Sequence, residues 1–444
     1  MKDLHAGFGR VNVTPMMGIQ LRGYYSVRRA EAVLDELEIN ALALAYAGTK
    51  VVLLSMDVCS IQREMILPIK EHVAQVNDLP LESVYIHNTH IHTGPYVRND
   101  SDDPLEQEYY RFVMRRMADA ARFALADLKP AKMRWAVGDA PRVAYIRRYR
   151  MKDGSVQTNP GIRNPQIVGP AGTPDARVNL LRFDRACGDH LLLVNYGNHP
   201  DVVGGCKISA DWPGFLRREL EKSIANSKCV FFNGAQGDVN HINFLPEPQW
   251  DAVLEELGGW LSYDHSRYIG RAVAGAVLQL YDTARPSDVT RLVCRQKTVK
   301  IPSNMPLPEE IPEAHRVNEL YLAGKAPQIN SMEGAMSIAK AQRILALEHG
   351  PEYFELELSA VAVGNVALIG IPGEPFTGIG VALKETEGWE LVLPTCLTNG
   401  NHGYFPMYDA YEEGGYEAER SRFKPGVAEI LIAEGQKLLQ TLRT

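Results

Sequence analysis

The chain has 444 residues, a formal net charge of −7 at pH 7 and a sequence pI near 6.0. The surplus of acidic residues argues against nucleic acid or an anionic membrane as the main partner. No apolar run reaches the roughly 18 residues that a membrane-spanning helix needs, so no stable membrane association is expected. With 45% hydrophobic and 23% charged residues, the composition is that of an ordinary globular protein.

The N-terminal residues and the cysteines predict a cytoplasmic location. Residues 1–9 contain no apolar signal segment. The six cysteines have no paired spacing and form no Cys-x-x-Cys motif, which is typical of reduced thiols. No internal repeat, low-complexity tract or linker divides the sequence.

The apolar pattern predicts alternating strands and helices. Short β-branched runs that end in turn residues predict buried strands at 50–56, 83–88, 191–196, 229–232, 366–371 and 391–397. Helix-period apolar faces predict helices at 62–76, 105–128, 214–224, 266–281, 332–347 and 427–442. Polar–apolar alternation at 291–301 and 353–363 predicts antiparallel, half-exposed strands. The fold is therefore predicted to be an α/β layered sandwich, with mixed β-sheets flanked by helices.

Residues able to bind metal or transfer protons stand at or just beyond six strand ends and turns. They are Asp57, His90, His199, Asp238, Glu374 and Tyr404. A single residue of this kind is usually a hydrogen-bonded turn residue. Six at equivalent positions instead predict one convergent site at the carboxyl ends of the strands.

His90 and His92 are the most informative pair in the sequence. Alternate residues of a strand point to the same face, so the two imidazoles are predicted to project together from a strand end. Imidazole binds zinc, copper, iron and nickel, so the pair alone does not name the metal. Two histidines that are merely hydrogen-bonded at a strand end are the alternative.

Several short motifs occur in a fixed order from residues 7–15 to residues 415–417. Between them stand 89–95, 198–200, 209–214, 233–238, 372–376 and 403–404. Residues 89–95, Thr-His-Ile-His-Thr-Gly-Pro, are similar to the Thr-His-Thr-His-Ser-Gly-Pro motif of the neutral, non-lysosomal ceramidases. The ordered set resembles the catalytic domain of that family. The resemblance implies one zinc hydrolase catalytic domain over residues 1–444, without the family's C-terminal immunoglobulin-like domain.

The resemblance also implies a set of metal ligands. That family holds one catalytic zinc with two histidines, a glutamate and a tyrosine. Matched by motif, the ligands of one Zn²⁺ per chain would be His90, His199, Glu374 and Tyr404. A buried aromatic residue with a satisfied hydroxyl is the alternative for Tyr404.

Further roles follow from the same motifs. The resemblance implies that His92 is the acid–base histidine and that Tyr416 stabilises a developing oxyanion. Asp57 and Asp211 are candidates to orient the ligand imidazoles through their second nitrogens. Helix capping is the alternative for these two carboxylates.

Residues 237–242, Gly-Asp-Val-Asn-His-Ile, depart from the family's Gly-Asp-x-Ser-Pro-Asn. Asn240 replaces a serine that is proposed to take part in amide cleavage. An asparagine cannot be a nucleophile but can donate a hydrogen bond to a carbonyl or hold a water, so Asn240 is a candidate catalytic residue. His241 beside it is a candidate substrate contact.

A basic segment at residues 142–163 suggests what the substrate carries. Arginine suits carboxylate or phosphate, so Arg147 and Arg148 are candidate substrate contacts. A solvated loop whose arginines pair with surface carboxylates is the alternative.

The sequence thus predicts a zinc-dependent hydrolase that cleaves an amide, an ester or a lactone of a small polar or anionic substrate by metal-activated water. A zinc-dependent lyase, isomerase or glycan-processing enzyme is the first alternative, and a non-catalytic binding protein is the second. The sequence leaves the oligomeric state open.

Overall fold

Two mixed β-sheets with helices on their outer faces form the architecture, which a computed structural model describes for residues 3–443. The helices are α1 Arg63–Val76, α2 Pro104–Ala126, α3 Asp211–Ser223, α4 Pro248–Glu256, α5 Tyr263–Tyr281, α6 Ile311–Leu322, α7 Met332–Leu347, α8 Thr377–Lys384, α9 Tyr408–Glu413, α10 Tyr416–Arg420 and α11 Val427–Thr441. The strands are β1 His5–Asn12, β2 Gln20–Leu21, β3 Arg28–Arg29, β4 Ala32–Val33, β5 Glu38–Tyr46, β6 Thr49–Met56, β7 Val84–Asn88, β8 Lys129–Asp139, β9 Tyr145–Ile146, β10 Arg148–Met151, β11 Val156–Thr158, β12 Ile167–Pro170, β13 Arg177–Arg185, β14 His190–Tyr196, β15 Lys207–Ile208, β16 Ser227–Asn233, β17 Val239–Asn240, β18 Arg285–Ser287, β19 Leu292–Pro302, β20 Tyr353–Val363, β21 Val366–Gly370, β22 Glu374–Pro375, β23 Leu391–Thr395 and β24 Tyr404–Phe405.

The larger sheet has nine strands in the order β16-β14-β13-β8-β1-β5-β6-β7, with β18 paired to β8. Its neighbours are antiparallel except β14–β16 and β6–β7, the parallel pairs at its two ends. The two ends approach each other, because the backbone N–H of Asn233 in β16 donates to Nε2 of His87 in β7 at 3.0 Å. This curl brings the carboxyl ends of both parallel pairs together.

The smaller sheet, β19-β20-β21-β23, adds a third parallel pair in β21–β23. Just beyond β23, the N–H of Cys396 donates to the carbonyl of Asn233 at 3.0 Å. The carbonyl of Leu397 accepts from the N–H of Asn88 at the end of β7, at 3.3 Å. The carboxyl ends of all three parallel pairs therefore meet at one place.

An apolar layer between the two sheets forms the inner core. It contains Leu53, Phe232 and Leu368, which come from three different strands and are all fully buried. The outer faces are covered by α1 and α2, by α3 and α5, and by α8 and α11. Because both faces of the central strands are buried, their sequences are continuously apolar, which is why the sequence predicted them well. The predicted α/β layered fold with mixed sheets is confirmed.

Two glycines set how closely α2 lies on the larger sheet. A Cβ at Gly7 would lie 2.1 Å from the carbonyl oxygen of Ala124, and one at Gly9 would lie 2.3 Å from that of Ala120. Any larger residue in this part of β1 would push the helix away from the sheet. No helix within residues 3–443 is long and apolar enough to cross a membrane.

A buried ion pair joins the end of β6 to α3. Asp57, which is 0% exposed, accepts from both guanidinium nitrogens of Arg217, at 2.9 and 2.5 Å. Replacing Asp57 by Ala would leave the Arg217 guanidinium buried with only Glu38, 3.5 Å away, as a charged partner. We expect Asp57→Ala to lower the free energy of unfolding by about 3–5 kcal/mol, measured by urea denaturation.

The control is Glu313→Ala, which removes the exposed Glu313–Arg316 pair of α6. This change should alter the free energy of unfolding by no more than about 0.5 kcal/mol. Equal small effects of the two substitutions would contradict the structural importance of the Asp57–Arg217 pair.

Candidate metal centre

Side chains from three strand-end loops converge on one point. Nε2 of His90 lies 3.2 Å from Nε2 of His199, and Oε2 of Glu374 lies 3.3 Å from the first and 3.4 Å from the second. The three residues are 4%, 1% and 5% exposed. They offer two imidazole nitrogens and one carboxylate oxygen within 4.8 Å of one another.

Asn233, the last residue of β16, holds both histidine loops. Its side-chain amide donates to the carbonyls of Thr89, at 3.2 Å, and Asn198, at 3.0 Å. These two residues directly precede His90 and His199. One buried amide therefore fixes the distance between the backbones that carry the two imidazoles.

His90 and His92 do not lie on a strand, which corrects the geometric basis of the prediction. Strand β7 ends at Asn88, and His90 adopts the left-handed conformation with φ 79°. This backbone is uncommon for a residue with a side chain and is held by a hydrogen bond from the His90 N–H to Val58 O, 2.9 Å. The turn still brings the Nε2 atoms of His90 and His92 to 3.3 Å from each other.

Backbone carbonyls orient the two imidazoles. Nδ1 of His90 lies 2.8 Å from the carbonyl of Cys59, and Nδ1 of His199 lies 2.9 and 2.8 Å from those of Gln236 and Val239. Carbonyls only accept, so each Nδ1 carries a proton and each Nε2 faces the point of convergence, where it can offer a lone pair to a cation once it is unprotonated.

Asp57 and Asp211 therefore do not orient the imidazoles, contrary to the sequence expectation. Asp57 instead pairs with Arg217. Asp211 accepts from the N–H groups of Val202 and Val203, both at 3.0 Å, and thereby fixes the turn after His199.

The donor set fits a divalent cation. Two lone pairs and a carboxylate oxygen at 3.2–3.4 Å repel one another unless a positive charge lies between them. Burial lowers the pKa of His90, but Glu374 outweighs it and raises that pKa well above its usual range. Burial raises the pKa of Glu374, yet His90 and His199 hold it well below. The cluster thus favours a positive charge beside a carboxylate, and two imidazoles with one carboxylate suit zinc.

A second grouping, Cys59 with His90 and His92, also brings possible ligands together. Sγ of Cys59 lies 3.8 Å from Nδ1 of His90, but that nitrogen already donates to the Cys59 carbonyl. The lone pair of His90 lies on the opposite side of the ring, facing His199 and Glu374. The geometry therefore favours the set with His199 and Glu374.

Tyr404 lies next to Glu374, because β22 and β24 pair in parallel with these two residues in register. A Cβ at Gly373 would lie 2.5 Å from the carbonyl oxygen of Gly403, so the two loops approach more closely than a side chain allows. Burial, and then Glu374, raise the pKa of the Tyr404 hydroxyl well above its usual range. Tyr404 lines the cavity described below; its role as the fourth ligand stays a prediction.

His92 lies beside the cluster rather than inside it. Its ring centroid is 4.8 Å from that of His90 but 5.8 Å from that of His199. Burial, and then the charge of His90, lower the pKa of His92 well below its usual range, so the ring is neutral. Its buried Nδ1 has no hydrogen-bond partner among residues 3–443.

A cavity of about 790 Å³ opens beside the cluster, a size that suits a small molecule. His92 and Tyr416 line it together with Glu374, and α6 and α7 contribute Tyr321 and Met332 to the opposite wall. The Tyr416 hydroxyl lies 3.2 Å from that of Tyr25, and its ring is 5.7 Å from the ring of Tyr404. The predicted acid–base and oxyanion residues therefore share one space with the candidate metal ligands.

The predicted substrate arginines have structural partners. Arg147 lines the cavity, but its guanidinium donates to Glu417 at 2.6 Å and to the carbonyl of Gly237 at 2.8 Å, and it lies 3.4 Å from Nε2 of His199. Arg148 does not line the cavity and donates to the carbonyl of Gly414 at 2.9 Å. The structure corrects the expectation for Arg148, since its charge is used within the fold.

Asn240 and His241 lie behind the cavity wall, which also corrects the sequence expectation. The amide of Asn240 donates to Asn159 at 2.9 Å, and Asn159, not Asn240, lines the cavity. His241 is 1% exposed, with Nδ1 3.1 Å from Asp201, which does line the cavity. Neither residue is among those that line the cavity, but each contacts one that does.

Sequence reasoning missed five charged residues of the cavity wall, Asp201, Arg22, Arg343, Arg420 and Arg422. Asp201 stands two residues after His199, and an Arg-x-Arg pair follows Tyr416 by four residues. Both positions are visible in the sequence as neighbours of site motifs.

Comparison with known proteins confirms the resemblance at the level of the fold. The structure is similar to neutral ceramidase from Pseudomonas aeruginosa, with a TM-score of 0.76 at 18% identity, covering 100% of this chain and 75% of that one. A ceramidase complexed with C2 gives a TM-score of 0.75 at 16% identity, covering 100% and 76%. No family model and no curated protein matches the sequence. The chain thus has the neutral ceramidase fold.

We expect purified protein to bind about one zinc per chain, because one group of two imidazoles and a carboxylate converges with free lone pairs. His90→Ala and His199→Ala should each lower the zinc content, measured by elemental analysis, to a small fraction of one. His349→Ala, at a histidine whose side chain is 90% exposed, is the control and should keep it. Full zinc content in both ligand variants would show that the metal lies elsewhere.

Proposed function

We propose that the protein is a zinc-dependent hydrolase that cleaves an amide, or an ester or lactone, of a small polar or anionic substrate. The observation that carries this proposal is the convergence of His90, His199 and Glu374 beside a neutral His92 and a cavity. The fold shared with two ceramidase structures supports it. We further propose that residues 1–444 act as one catalytic domain and that the enzyme works in the cytoplasm.

The metal would be held by His90, His199 and Glu374, with Tyr404 as the fourth ligand. Bound zinc supplies a Lewis acid that polarises a carbonyl and makes water a better nucleophile near neutral pH. This chemistry needs a base for the water proton and a donor for the carbonyl oxygen, and side chains of the cavity supply both.

His92 is the proposed base. Its pKa lies well below the usual range, so the ring is neutral and has a lone pair available for the proton of an attacking water. Its Nε2 lies 3.3 Å from that of His90 and so borders the candidate metal position. The same nitrogen can then return the proton to the leaving group.

Tyr416 is the proposed donor to the carbonyl oxygen. Burial, and then Tyr25, raise the pKa of its hydroxyl well above the usual range, so it keeps its proton. A neutral phenol that lines the cavity can donate a hydrogen bond to an oxyanion as charge develops there. In this scheme Asn240 holds Asn159 in the wall rather than contacting the substrate.

We expect His92→Ala to keep its zinc but to lose activity by a factor on the order of 10² or more, as for a lost acid–base group. Zinc-loaded protein would be screened against N-acyl amino acids, lactones, amino sugars and short-chain ceramides, and the variant assayed on the best substrate. Loss of zinc in His92→Ala, with full zinc in His90→Ala, would show that His92 is the metal ligand and His90 the acid–base group.

We also expect little or no hydrolysis of long-chain ceramide. Lifting a two-tailed lipid from a bilayer requires an apolar docking surface. The cavity wall instead presents the arginines 22, 420 and 422. Fatty acid release from long-chain ceramide in detergent should stay near background, while a soluble acylated compound is turned over. Efficient release from the long-chain lipid would contradict the polar substrate class.

A further inference from the structure

Arg420 is a cavity residue with no hydrogen-bond or ion-pair partner among the described residues. It ends α10, four residues after Tyr416, so the two side chains lie on the same side of the helix and both line the cavity. Within residues 3–443, no group accepts a hydrogen bond from the Arg420 guanidinium and no carboxylate lies within salt-bridge distance of it. The side chain is only partly exposed, so water does not fully replace a partner.

Two more arginines of the same wall have no carboxylate within ion-pair distance in the described part of the chain. Arg422 donates only to the carbonyl of His402, at 3.3 Å, and lies over the ring of Phe354, 4.9 Å from its centroid. Arg22 lies 5.2 Å from the ring centroid of Tyr96, with the amide of Gln62 within hydrogen-bond reach. These are cation–π and neutral contacts, so neither guanidinium has a direct carboxylate partner among residues 3–443, and Glu64 acts on Arg422 only at longer range.

Other arginines of the wall show what a compensated side chain looks like. Arg147 donates to the carboxylate of Glu417. Arg343 donates to the backbone carbonyl of Glu419 at 2.9 Å and lies 4.0 Å from the side-chain carboxylate of the same residue. The carboxylates of the wall are Asp201 and Glu374, and Glu374 belongs to the candidate metal cluster. Arg22, Arg420 and Arg422 thus leave this part of the cavity with an excess of positive charge.

Neighbouring groups act differently on Arg420 and Arg422. Burial lowers the pKa of Arg420, but Tyr25, Tyr416, Tyr404 and Glu374 outweigh it and raise that pKa. Burial lowers the pKa of Arg422, and the charge of Arg420 lowers it further. An anion bound between Arg420 and Arg422 would offset the unfavourable effect of the first charge on the second. A guanidinium offers a planar pair of N–H donors that matches a carboxylate or a phosphoryl group.

We propose that Arg420, together with Arg22 and Arg422 of the same cavity, forms a subsite for a carboxylate or phosphoryl group of the substrate, beside the candidate metal centre. Residues four apart on a helix have Cβ atoms about 6 Å apart, so Arg420 lies close to Tyr416. The anionic group therefore lies only a few bonds from the carbonyl that Tyr416 contacts. Assigning the anion to the substrate rests on the proposed hydrolase function; the anion site itself does not.

The test measures anion binding without turnover. Calorimetry on zinc-loaded protein would compare succinate and inorganic phosphate with succinamide, the uncharged analogue of succinate. We expect at least one anion to bind and Arg420→Gln to raise its Kd by about 10- to 100-fold, the loss of one hydrogen bond between charged groups. Succinamide should bind weakly and equally to both proteins.

Two further variants make the result interpretable. Arg122→Gln removes an exposed arginine of α2 that has no hydrogen-bond or ion-pair partner among the described residues, and it should leave Kd unchanged. Arg22→Gln should also raise Kd, which keeps the test decisive if Arg420→Gln does not fold. Tighter binding of phosphate assigns a phosphorylated substrate, and tighter binding of succinate assigns a carboxylate.

Zinc can bind these anions directly, so the titrations would be repeated on metal-free protein. A persistent effect of Arg420→Gln there supports the arginine subsite. Equal Kd values for the wild type and Arg420→Gln, or binding of the anions no tighter than succinamide, would overturn it. Anion binding without hydrolysis of any screened substrate would contradict only the hydrolase proposal, so the two failures are distinguishable.

Discussion

The hydrogen bonds of Asn233 are the constraint on which the rest of the site depends. This one residue ends β16, and its backbone joins β7 through His87 and the loop after β23 through Cys396. Its side chain holds the carbonyls before His90 and His199. Because every group is buried, an unsatisfied donor here would cost about 1–3 kcal/mol, so these hydrogen bonds hold the strand ends in their mutual positions.

That scaffold also sets the electrostatics of the cluster. Backbone carbonyls fix the tautomers of His90 and His199, so two lone pairs and the Glu374 carboxylate face one point. The two lone pairs and the carboxylate repel one another. The hydrogen bonds from the imidazoles to the backbone carbonyls keep them in place despite this repulsion. Arg147 adds a positive charge 3.4 Å from Nε2 of His199, but Glu417 neutralises it. The site is therefore preorganised for a cation by rigid backbone rather than by charged side chains.

Much of the fold was predictable because its central strands and helices carry unbroken apolar patterns. The helix predicted at 332–347 and the strand predicted at 353–363 match α7 and β20 residue for residue. The residues of the candidate metal cluster were also predictable, because they directly follow strands and the carboxyl ends of parallel strands meet at one edge of a sheet. Partners from distant segments were not predictable. The residue that pairs with Asp57 is Arg217, 160 positions away, and no local pattern distinguishes a carboxylate that orients a ligand from one that supports a helix.

The same limit explains why the sequence singled out Arg147 and Arg148 and not Arg22, Arg420 and Arg422. A cluster of arginines in sequence, such as the one around Arg148, attracts attention, but the fold supplies it with Glu413 and backbone carbonyls. Arg420 stands out only once the structure shows that no hydrogen bond or ion pair holds its guanidinium within residues 3–443. Because fold and substrate are set by different residues, a chain with the neutral ceramidase fold can carry a cavity wall suited to an anion. The metal cluster depends on the strand ends, whereas the charge beside it depends on side chains of α10 and its neighbours, which can change without disturbing the scaffold.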